Sequence, residues 1–243
     1  MIVPDGCDEM EVAPFIEMPG WTKVVEDIER VEVTVAGWDD TIYMFHGLKV
    51  VPDVKVAEVD PAVYDAVFLP GGWNGTRYFE QIRTGELKSL LRRMHDGGKV
   101  IATACNGILA AGESGLLDGK RVTSFTGDCC ELCRGIKDRL RRYGADFQER
   151  AIVRDGRILS NIGPAVADED ALRLMELLIG KEAAGKIAGA MMYRTVQPGE
   201  LRWTFPTGEG WPHYEKRGSP PPVRAVCTRE KACKHALSIR TEE

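Results

Sequence analysis

The sequence predicts one α/β domain in which helices cover a mostly parallel central sheet. Short runs of β-branched residues alternate with longer segments of helical period, which is typical of strand-helix-strand units. Two of these runs end in loops of small residues, as strands do where they lead into a crossover helix. The 243 residues are enough for one substantial core and an appendage.

The first half of the chain supplies the predicted parallel strands. Only three residues, 1–3, precede a Pro-Asp-Gly turn, so the first strand is expected to be short and the sheet to be weakened at a central position. Buried strands are predicted for residues 31–35, 66–69 and 99–104, and a hairpin for residues 43–51. Between the last two strands, apolar residues recur at helical spacing until two glycines end the helix, namely Leu87, Leu90, Leu91, Met94, Gly97 and Gly98.

The second half predicts a hairpin and two helices. Residues 151–153 and 158–160 flank an Asp155-Gly156 pair, which supplies the positive φ of a tight turn. Leu172, Met175 and Ile179 indicate an amphipathic helix, and a second helix is expected over about 181–193.

The packed domain is therefore predicted to cover residues 1–193, and residues 194–243 to form an irregular, Pro-rich C-terminal extension. Six of the 13 prolines lie in the extension, and periodicity disappears there. Its aromatic residues Trp203, Trp211 and Tyr214 favour docking on the same domain or on a second subunit, and a mostly disordered tail is the alternative.

Charge and hydropathy exclude two classes of partner. The formal net charge of −5 argues against a nucleic-acid partner, because phosphate backbones select clustered Lys and Arg. The chain has no apolar run of the roughly 18–20 residues that a membrane span needs, so no membrane partner is expected. The N-terminal residues lack the features of a leader, which predicts a cytoplasmic protein whose seven cysteines are mostly thiols.

Cys105 is the candidate nucleophile. It lies where the strand 99–104 ends and a helix, predicted for residues 108–117, begins. Such a strand-to-helix elbow exposes one side chain over the carboxyl edge of the sheet and needs small neighbours, here Ala104 and Gly107. The helix N-terminus favours the thiolate through its dipole and free N–H groups. A small buried cysteine is the alternative interpretation.

Four segments together resemble the ThiJ/PfpI superfamily, which is related to class I glutamine amidotransferases. They are residues 4–11 (PDGCDEME), 64–72 (YDAVFLPGG), the Cys105 elbow with 115–123 (GLLDGKRVT), and 155–164 (DGRILSNIGP). The resemblance covers residues 1 to about 193. It implies a flavodoxin-like three-layer sandwich with a mostly parallel central sheet, and a homodimer or higher homo-oligomer.

The resemblance also implies partners for Cys105. In this family pattern Glu11 points its carboxyl group at the sulfur, usually protonated, and acts as a proton shuttle. The backbone N–H groups of Gly72 and Asn106, at neighbouring carboxyl edges, are predicted to form an oxyanion hole. Read without the resemblance, Glu11 is a solvated carboxylate at a helix start and the Pro70-Gly71-Gly72 segment is a plain turn.

The sequence departs from the family where relatives carry a histidine. Asn106 follows the nucleophile directly, and Phe125 stands on the next strand about twenty residues later. No Cys-His pair can be assigned, which disfavours a peptidase. His46, on the predicted hairpin, is more readily a surface residue than a site residue.

Cys129, Cys130 and Cys133 cluster just after Phe125. The first interpretation is structural thiols. The second is a redox role, in which Cys130 and Cys133 pair with each other or resolve an oxidised Cys105. The third is a zinc site, which comes last because the spacing lacks a fourth ligand. No metal and no cofactor are therefore predicted.

Three functions remain open. The first is an enzyme acting on small reactive carbonyls, glyoxalase-like or deglycase-like, through Cys105 and Glu11. The second is a redox-sensing or chaperone-like stress protein with an oxidisable Cys105. The third is an isonitrile-hydratase-like lyase, for which Thr103, Ser124 and Thr126 offer hydroxyls.

Overall fold

The structure, a computed structural model, describes residues 1–127 and 134–193. The strands of this part are β1 (Ala36–Gly37), β2 (Ile42–Tyr43), β3 (Lys49–Val50), β4 (Val54–Lys55), β5 (Ala66–Leu69), β6 (Val100–Ala104), β7 (Arg121–Val122), β8 (Asp146–Phe147), β9 (Ile152–Asp155) and β10 (Ile158–Asn161). The α-helices are Glu9–Val12, Pro14–Trp21, Tyr78–Gln81, Gly85–Asp96, Ile108–Glu113, Ile136–Arg142, Ala167–Ile179 and Lys181–Ala190.

The central sheet has the order β5-β6-β10-β9. β5, β6 and β10 run parallel, and β9 pairs antiparallel with β10 through the predicted hairpin. Parallel strands that lie side by side end at the same edge, so the loops after Leu69, Ala104 and Asn161 meet there. This edge carries the candidate site.

The first strand is short, as predicted. Ile2 forms a single parallel bridge with Ala36 and donates its N–H to the Phe68 carbonyl at 2.9 Å, so it joins β1 to β5. The prediction of a strand over residues 31–35 is wrong, because strand structure begins only at Ala36. The Met1 amino group donates to the Thr34 carbonyl, but regular strand pairing starts at Ala36, which pairs with Val54 and forms a bridge with Ile2.

Two apolar clusters lie on the two faces of the sheet. Val67, Leu69 and Ile101 pack with Leu87, Leu91 and Met94 of the helix Gly85–Asp96 on one face. Phe68, Val100, Ala102 and Leu159 pack with Phe15, Met18, Leu172, Met175 and Ile187 of the opposite helices. Neighbouring residues of a strand point to opposite faces, which is why one sheet serves two cores. The predicted three-layer sandwich is confirmed.

Most predicted elements are confirmed, and two are shortened. The helix after Cys105 ends at Glu113 instead of Leu117, where Gly115 turns the chain with φ 74°. β7 ends at Val122, so Phe125 lies outside the strand expected to contain it. The turn between β9 and β10 uses positive φ at Gly156 but not at Asp155. Within the described ranges, none of the helices is both long and apolar enough to cross a bilayer.

Candidate active site at the Cys105 elbow

Cys105 occupies a strained elbow between β6 and a short 3₁₀ helix, Cys105–Gly107, that leads into the helix Ile108–Glu113. Its φ of 53° is in the left-handed region, which costs a non-glycine residue on the order of 1–2 kcal/mol. The side chain is partly exposed. The small neighbour predicted at Gly107 is confirmed, since a Cβ there would lie 2.5 Å from the Leu69 carbonyl oxygen. Close strand-helix contact therefore holds the elbow in place.

Glu11 lies beside this elbow. It belongs to the helix Glu9–Val12, which Asp8 caps by accepting a hydrogen bond from the Met10 N–H at 3.0 Å. The Glu11 side chain is 1% exposed. Its Oε2 accepts a 2.5 Å hydrogen bond from the Gly71 N–H, and the carboxyl group also shares a hydrogen bond with the Cys105 side chain. The structure thus brings together the two residues that were predicted to carry the chemistry.

Burial raises the pKa of Glu11 from 4.5 to about 8. The hydrogen bonds from Gly71 and Cys105 oppose this rise and the charge of Asp8 adds to it, but desolvation is the largest cause. The carboxyl group is accordingly neutral at pH 7 and has a proton to donate. The alternative of a solvated helix-start carboxylate is wrong.

Two glycines let the backbone lie close to both Glu11 and Cys105. A Cβ on Gly71 would lie 2.6 Å from the Cys105 Cβ and 2.9 Å from Glu11 Oε2. A Cβ on Gly163, whose φ is 123°, would lie 3.3 Å from Glu11 Oε1 and 3.6 Å from the Cys105 Cβ. A larger residue at position 71 would displace the nucleophile or the acid, and at position 163 it would strain the backbone and crowd Glu11.

Asn106 fastens the loop after β5 to the elbow. Its Oδ1 accepts from the Gly72 N–H at 2.9 Å, and its Nδ2 donates to the Gly72 carbonyl at 2.8 Å. The predicted oxyanion role of Gly72 does not fit this arrangement, because its N–H already has an acceptor. The backbone N–H of Asn106 lies in the first turn of the 3₁₀ helix, where N–H groups have no partner within the helix, so its predicted role as a donor stays a prediction.

Two further residues, Tyr78 and Ser124, shape the site through contacts that the sequence did not predict. Tyr78 is fully buried, and its hydroxyl donates to the Pro70 carbonyl at 2.7 Å while its ring fills the space beside Gly72. Ser124 donates to the Cys105 carbonyl at 2.7 Å. Neither contact has a sequence signal, since the side chains bond to backbone carbonyls 8 and 19 residues earlier in the chain. The Ser124 and Thr103 hydroxyls are both engaged with backbone carbonyls, so no observation favours the lyase alternative.

Neither of the two positions at which relatives carry a histidine, 106 and 125, is a histidine in this chain. Phe125 lies at the site, with its Cδ2 3.6 Å from a Cβ built on Gly163. His46 lies in the hairpin turn, 58% exposed, with Nδ1 2.7 Å from Glu9 Oε2. Cys129, Cys130 and Cys133 are outside the described residues, so their three interpretations stay predictions.

Comparisons with known proteins identify the family of this chain. The model of the DJ-1/PfpI family matches residues 1–177. Protein dj-1beta of Drosophila melanogaster is 28% identical over 197 residues, which cover 79% of this chain and 95% of that protein. A deglycase of Pyrococcus horikoshii is 33% identical over 139 residues, covering 56% of this chain and 76% of the relative.

Solved structures show the same fold. The crystal structure of Drosophila melanogaster DJ-1beta aligns with a TM-score of 0.68 at 25% identity, covering 80% of this chain and 97% of that one. Oxidised DJ-1 of Toxoplasma gondii aligns with a TM-score of 0.66 at 26% identity, covering 80% and 98%. The resemblance inferred from four sequence segments is confirmed, and the chain belongs to the DJ-1/PfpI family.

Proposed function

We propose that the protein is a cysteine-dependent enzyme for small reactive carbonyls, glyoxalase-like or deglycase-like, with Cys105 as nucleophile and Glu11 as proton shuttle. The observation that carries the proposal is a buried carboxyl group, neutral at pH 7, hydrogen-bonded to a partly exposed cysteine on a strained elbow. A relative named as a deglycase supports the substrate class.

The first step is addition of the thiolate to an aldehyde. With methylglyoxal, the sulfur of Cys105 forms a bond to the aldehyde carbon, and the carbonyl electron pair moves to oxygen. The Asn106 backbone N–H stabilises this oxyanion, and Glu11 transfers its proton to it. The product is a neutral hemithioacetal, and Glu11 is left as a carboxylate.

In the second step Glu11 acts as a base and regains a proton from the substrate. The Glu11 carboxylate removes the proton from the carbon that bears sulfur, and the neighbouring ketone carbon is protonated in turn, which gives a lactoyl thioester. Water hydrolyses the thioester, releases lactate and regenerates the thiol. Methylglyoxal and water together have the atoms of lactic acid, so the reaction needs no cofactor.

The high pKa of Glu11 suits both steps. A carboxyl group with a pKa of about 8 is mostly protonated at pH 7 and is a stronger base than an ordinary carboxylate once it has lost its proton. With Phe125 where relatives carry a histidine, the acid-base work falls on Glu11. An amide bond, whose leaving nitrogen needs a proton, is a poorer substrate for this arrangement than an aldehyde.

The experiment that tests the proposal is lactate production from methylglyoxal. The purified full chain should form lactate, and protein alkylated at Cys105 with iodoacetamide should not. Mass spectrometry of the alkylated protein verifies the site of modification. Failure of the unmodified protein to raise the rate above the buffer control, with methylglyoxal or with a glycated amine, would refute the proposed activity.

A redox role is the second candidate, and the same hydrogen bond favours it. A neutral Glu11 can donate to a cysteine sulfinate as well as to a thiolate, and one structural neighbour is described as oxidised. Two equivalents of peroxide would convert the thiolate first to the sulfenic and then to the sulfinic acid, with release of water. We expect intact-mass analysis after mild peroxide to show a two-oxygen adduct that peptide mapping places on Cys105. An unmodified Cys105 under conditions that oxidise free cysteine would exclude this role.

Oligomeric state and compartment are further proposals. Exposed apolar residues on the first helix and the β2–β3 hairpin, namely Met10, Tyr43, Phe45 and Leu48, support a homodimer, because burying such a face removes apolar surface from water. A reducing compartment such as the cytoplasm would keep Cys105 as a thiol between turnovers.

A further inference from the structure

Asp170 is a buried acid that the proposed chemistry does not use. It lies in the helix Ala167–Ile179, on the face turned toward the sheet, and is 0% exposed. Its Oδ2 accepts a 2.7 Å hydrogen bond from the side-chain Nδ2 of Asn161, the last residue of β10. Its Oδ1 is buried and has no hydrogen-bond partner among residues 1–127 and 134–193. A buried carboxyl group with one partner needs an explanation, because burial is costly without full pairing.

Asn161 connects Asp170 to the candidate site. While Nδ2 faces Asp170, Oδ1 of the same amide accepts the Gly163 N–H at 2.7 Å. The amide orientation is fixed from both ends, since a carboxylate can only accept and a backbone N–H can only donate. Gly163 lies beside both site residues, since a Cβ built on it would be 3.3 Å from Glu11 Oε1 and 3.6 Å from the Cys105 Cβ. Two hydrogen bonds therefore link a buried acid to the wall of the site.

We propose that Asp170 is a positioning residue that acts through the Asn161 amide to hold Gly163, and with it the spacing of Glu11 and Cys105. The inference rests on the proposed role of Cys105 as a reactive thiolate. Asp170 does not touch substrate. It acts by being the acceptor that keeps the Asn161 amide turned with its oxygen toward Gly163.

Protonation of Asp170 would weaken this link. A neutral acid must place its new O–H somewhere, and in the described part of the chain Oδ1 has no acceptor while Oδ2 faces a donor. If the Asn161 amide turned over to accept that O–H, its NH₂ would face the Gly163 N–H, which is a donor against a donor. In the first case the charge-assisted bond from Asn161 to Oδ2 becomes a weaker neutral bond, and in the second the bond from the Gly163 N–H is lost, so both cases loosen Gly163.

The electrostatics place this change near neutral pH. Burial raises the pKa of Asp170 from 3.8 to about 7, opposed by the Asn161 hydrogen bond and by the charge of Arg173, and assisted by the charge of Glu169. Both of those charged residues are on the same helix as Asp170. Of the elements packed against this helix, Glu9–Val12 carries Glu9 and Glu11, Pro14–Trp21 carries Glu17, and Lys181–Ala190 carries Lys181, Glu182 and Lys186, whereas β10 carries no charged residue. Asp170 is therefore ionised above about pH 7 and neutral below, so the link is intact on the alkaline side.

The test is the rate of Cys105 alkylation by iodoacetamide in the full chain between pH 5.5 and 9.5. The isosteric variant D170N resembles the neutral acid and does not titrate, so its rate should match wild type below about pH 6 and fall below wild type at high pH. The difference between its profile and that of wild type should be centred near pH 7. D170L removes the acceptor and should lower the high-pH rate about tenfold, a size typical of coupling through neighbouring hydrogen bonds.

A matched control comes from the same helix. D168N removes a carboxylate that is exposed and two residues away, and its alkylation profile should follow wild type. Thermal melts separate stability from positioning, because a purely structural Asp170 would lower the Tm of D170L without changing the pH dependence in D170N. Coincident D170N and wild-type profiles, or a folded D170L with wild-type reactivity, would overturn the inference.

The outcomes also separate this inference from the proposed function. A wild-type Cys105 that reacts like a free thiol, with a midpoint near 8.5, would count against the proposed function. An activated wild-type Cys105 with unchanged Asp170 variants would leave the proposed function standing and remove only the positioning role.

Discussion

Cys105→Ser is expected to lower lactate formation from methylglyoxal by at least about 10³-fold. The thiolate is the nucleophile, and a serine hydroxyl at the same position stays protonated at neutral pH because the site has no assigned histidine base. Glu11 cannot replace that base, since its carboxyl group is itself protonated at pH 7. The rate is measured as lactate released by equal amounts of the two proteins.

Cys7→Ser is the matched control for this substitution. Cys7 is completely buried, its Sγ donates to the Pro4 carbonyl at 2.8 Å, and burial raises the pKa of its thiol well above the usual value. Serine keeps the donor, so activity should be close to wild type. Equal activity in Cys105→Ser and wild type would contradict the assignment of the nucleophile.

Glu11→Gln is expected to change both activity and the pH dependence of stability. The pKa of Glu11 is raised on folding from 4.5 to about 8, so the folded state holds a proton that the unfolded state has already lost between these values. The stability that Glu11 contributes is thus complete below pH 4.5 and is lost as the pH rises toward 8. A shift of this size corresponds to at most about 5 kcal/mol, and we expect about 3 kcal/mol.

Glutamine does not titrate, and its side-chain oxygen can still accept the Gly71 N–H. The free energy of unfolding of Glu11→Gln should therefore gain about 3 kcal/mol relative to wild type between pH 4.5 and 8.5, measured by urea denaturation followed by circular dichroism. Lactate formation should fall by about 10²–10⁴-fold, because the amide cannot shuttle a proton.

The control is Glu86→Gln, which neutralises an exposed carboxylate in the first turn of the helix Gly85–Asp96. Its stability relative to wild type should be nearly the same at both pH values. A Glu11→Gln variant that also shows a constant difference would mean that Glu11 is ionised in the folded protein at neutral pH, and its assignment as a proton donor would have to be withdrawn.

Local patterns predicted much of the fold. β5, β6 and the helix Gly85–Asp96 were found within one or two residues, because each has a continuous apolar run or a helical period with clear stops. Residues 31–35 were predicted wrongly as a strand, although their composition is suitable. A strand needs hydrogen-bonded neighbours, and regular pairing in this region begins only at Ala36, with Val54 and Ile2. The pattern within one segment cannot indicate whether a neighbour is present.

The sequence predicted which residues form the site better than it predicted the contacts among them. Cys105 was identified because it lies at a strand-helix junction with small neighbours, and Glu11 was identified through the family resemblance. The engagement of Gly72 by Asn106 was not foreseen, because an asparagine beside the nucleophile gives no indication of where its amide will bond. The link from Asp170 through Asn161 to Gly163 was missed for the same reason.

The sequence alone determined that this is an α/β protein with a cysteine at a strand-to-helix elbow, because periodicity and small residues act through neighbours in the chain. Tertiary structure decided that Glu11 is neutral and beside that cysteine. Its pKa depends on burial and on the Gly71 N–H, a donor 60 residues away. Desolvation and hydrogen bonding of this kind arise only when distant segments pack together, so local sequence patterns cannot predict them.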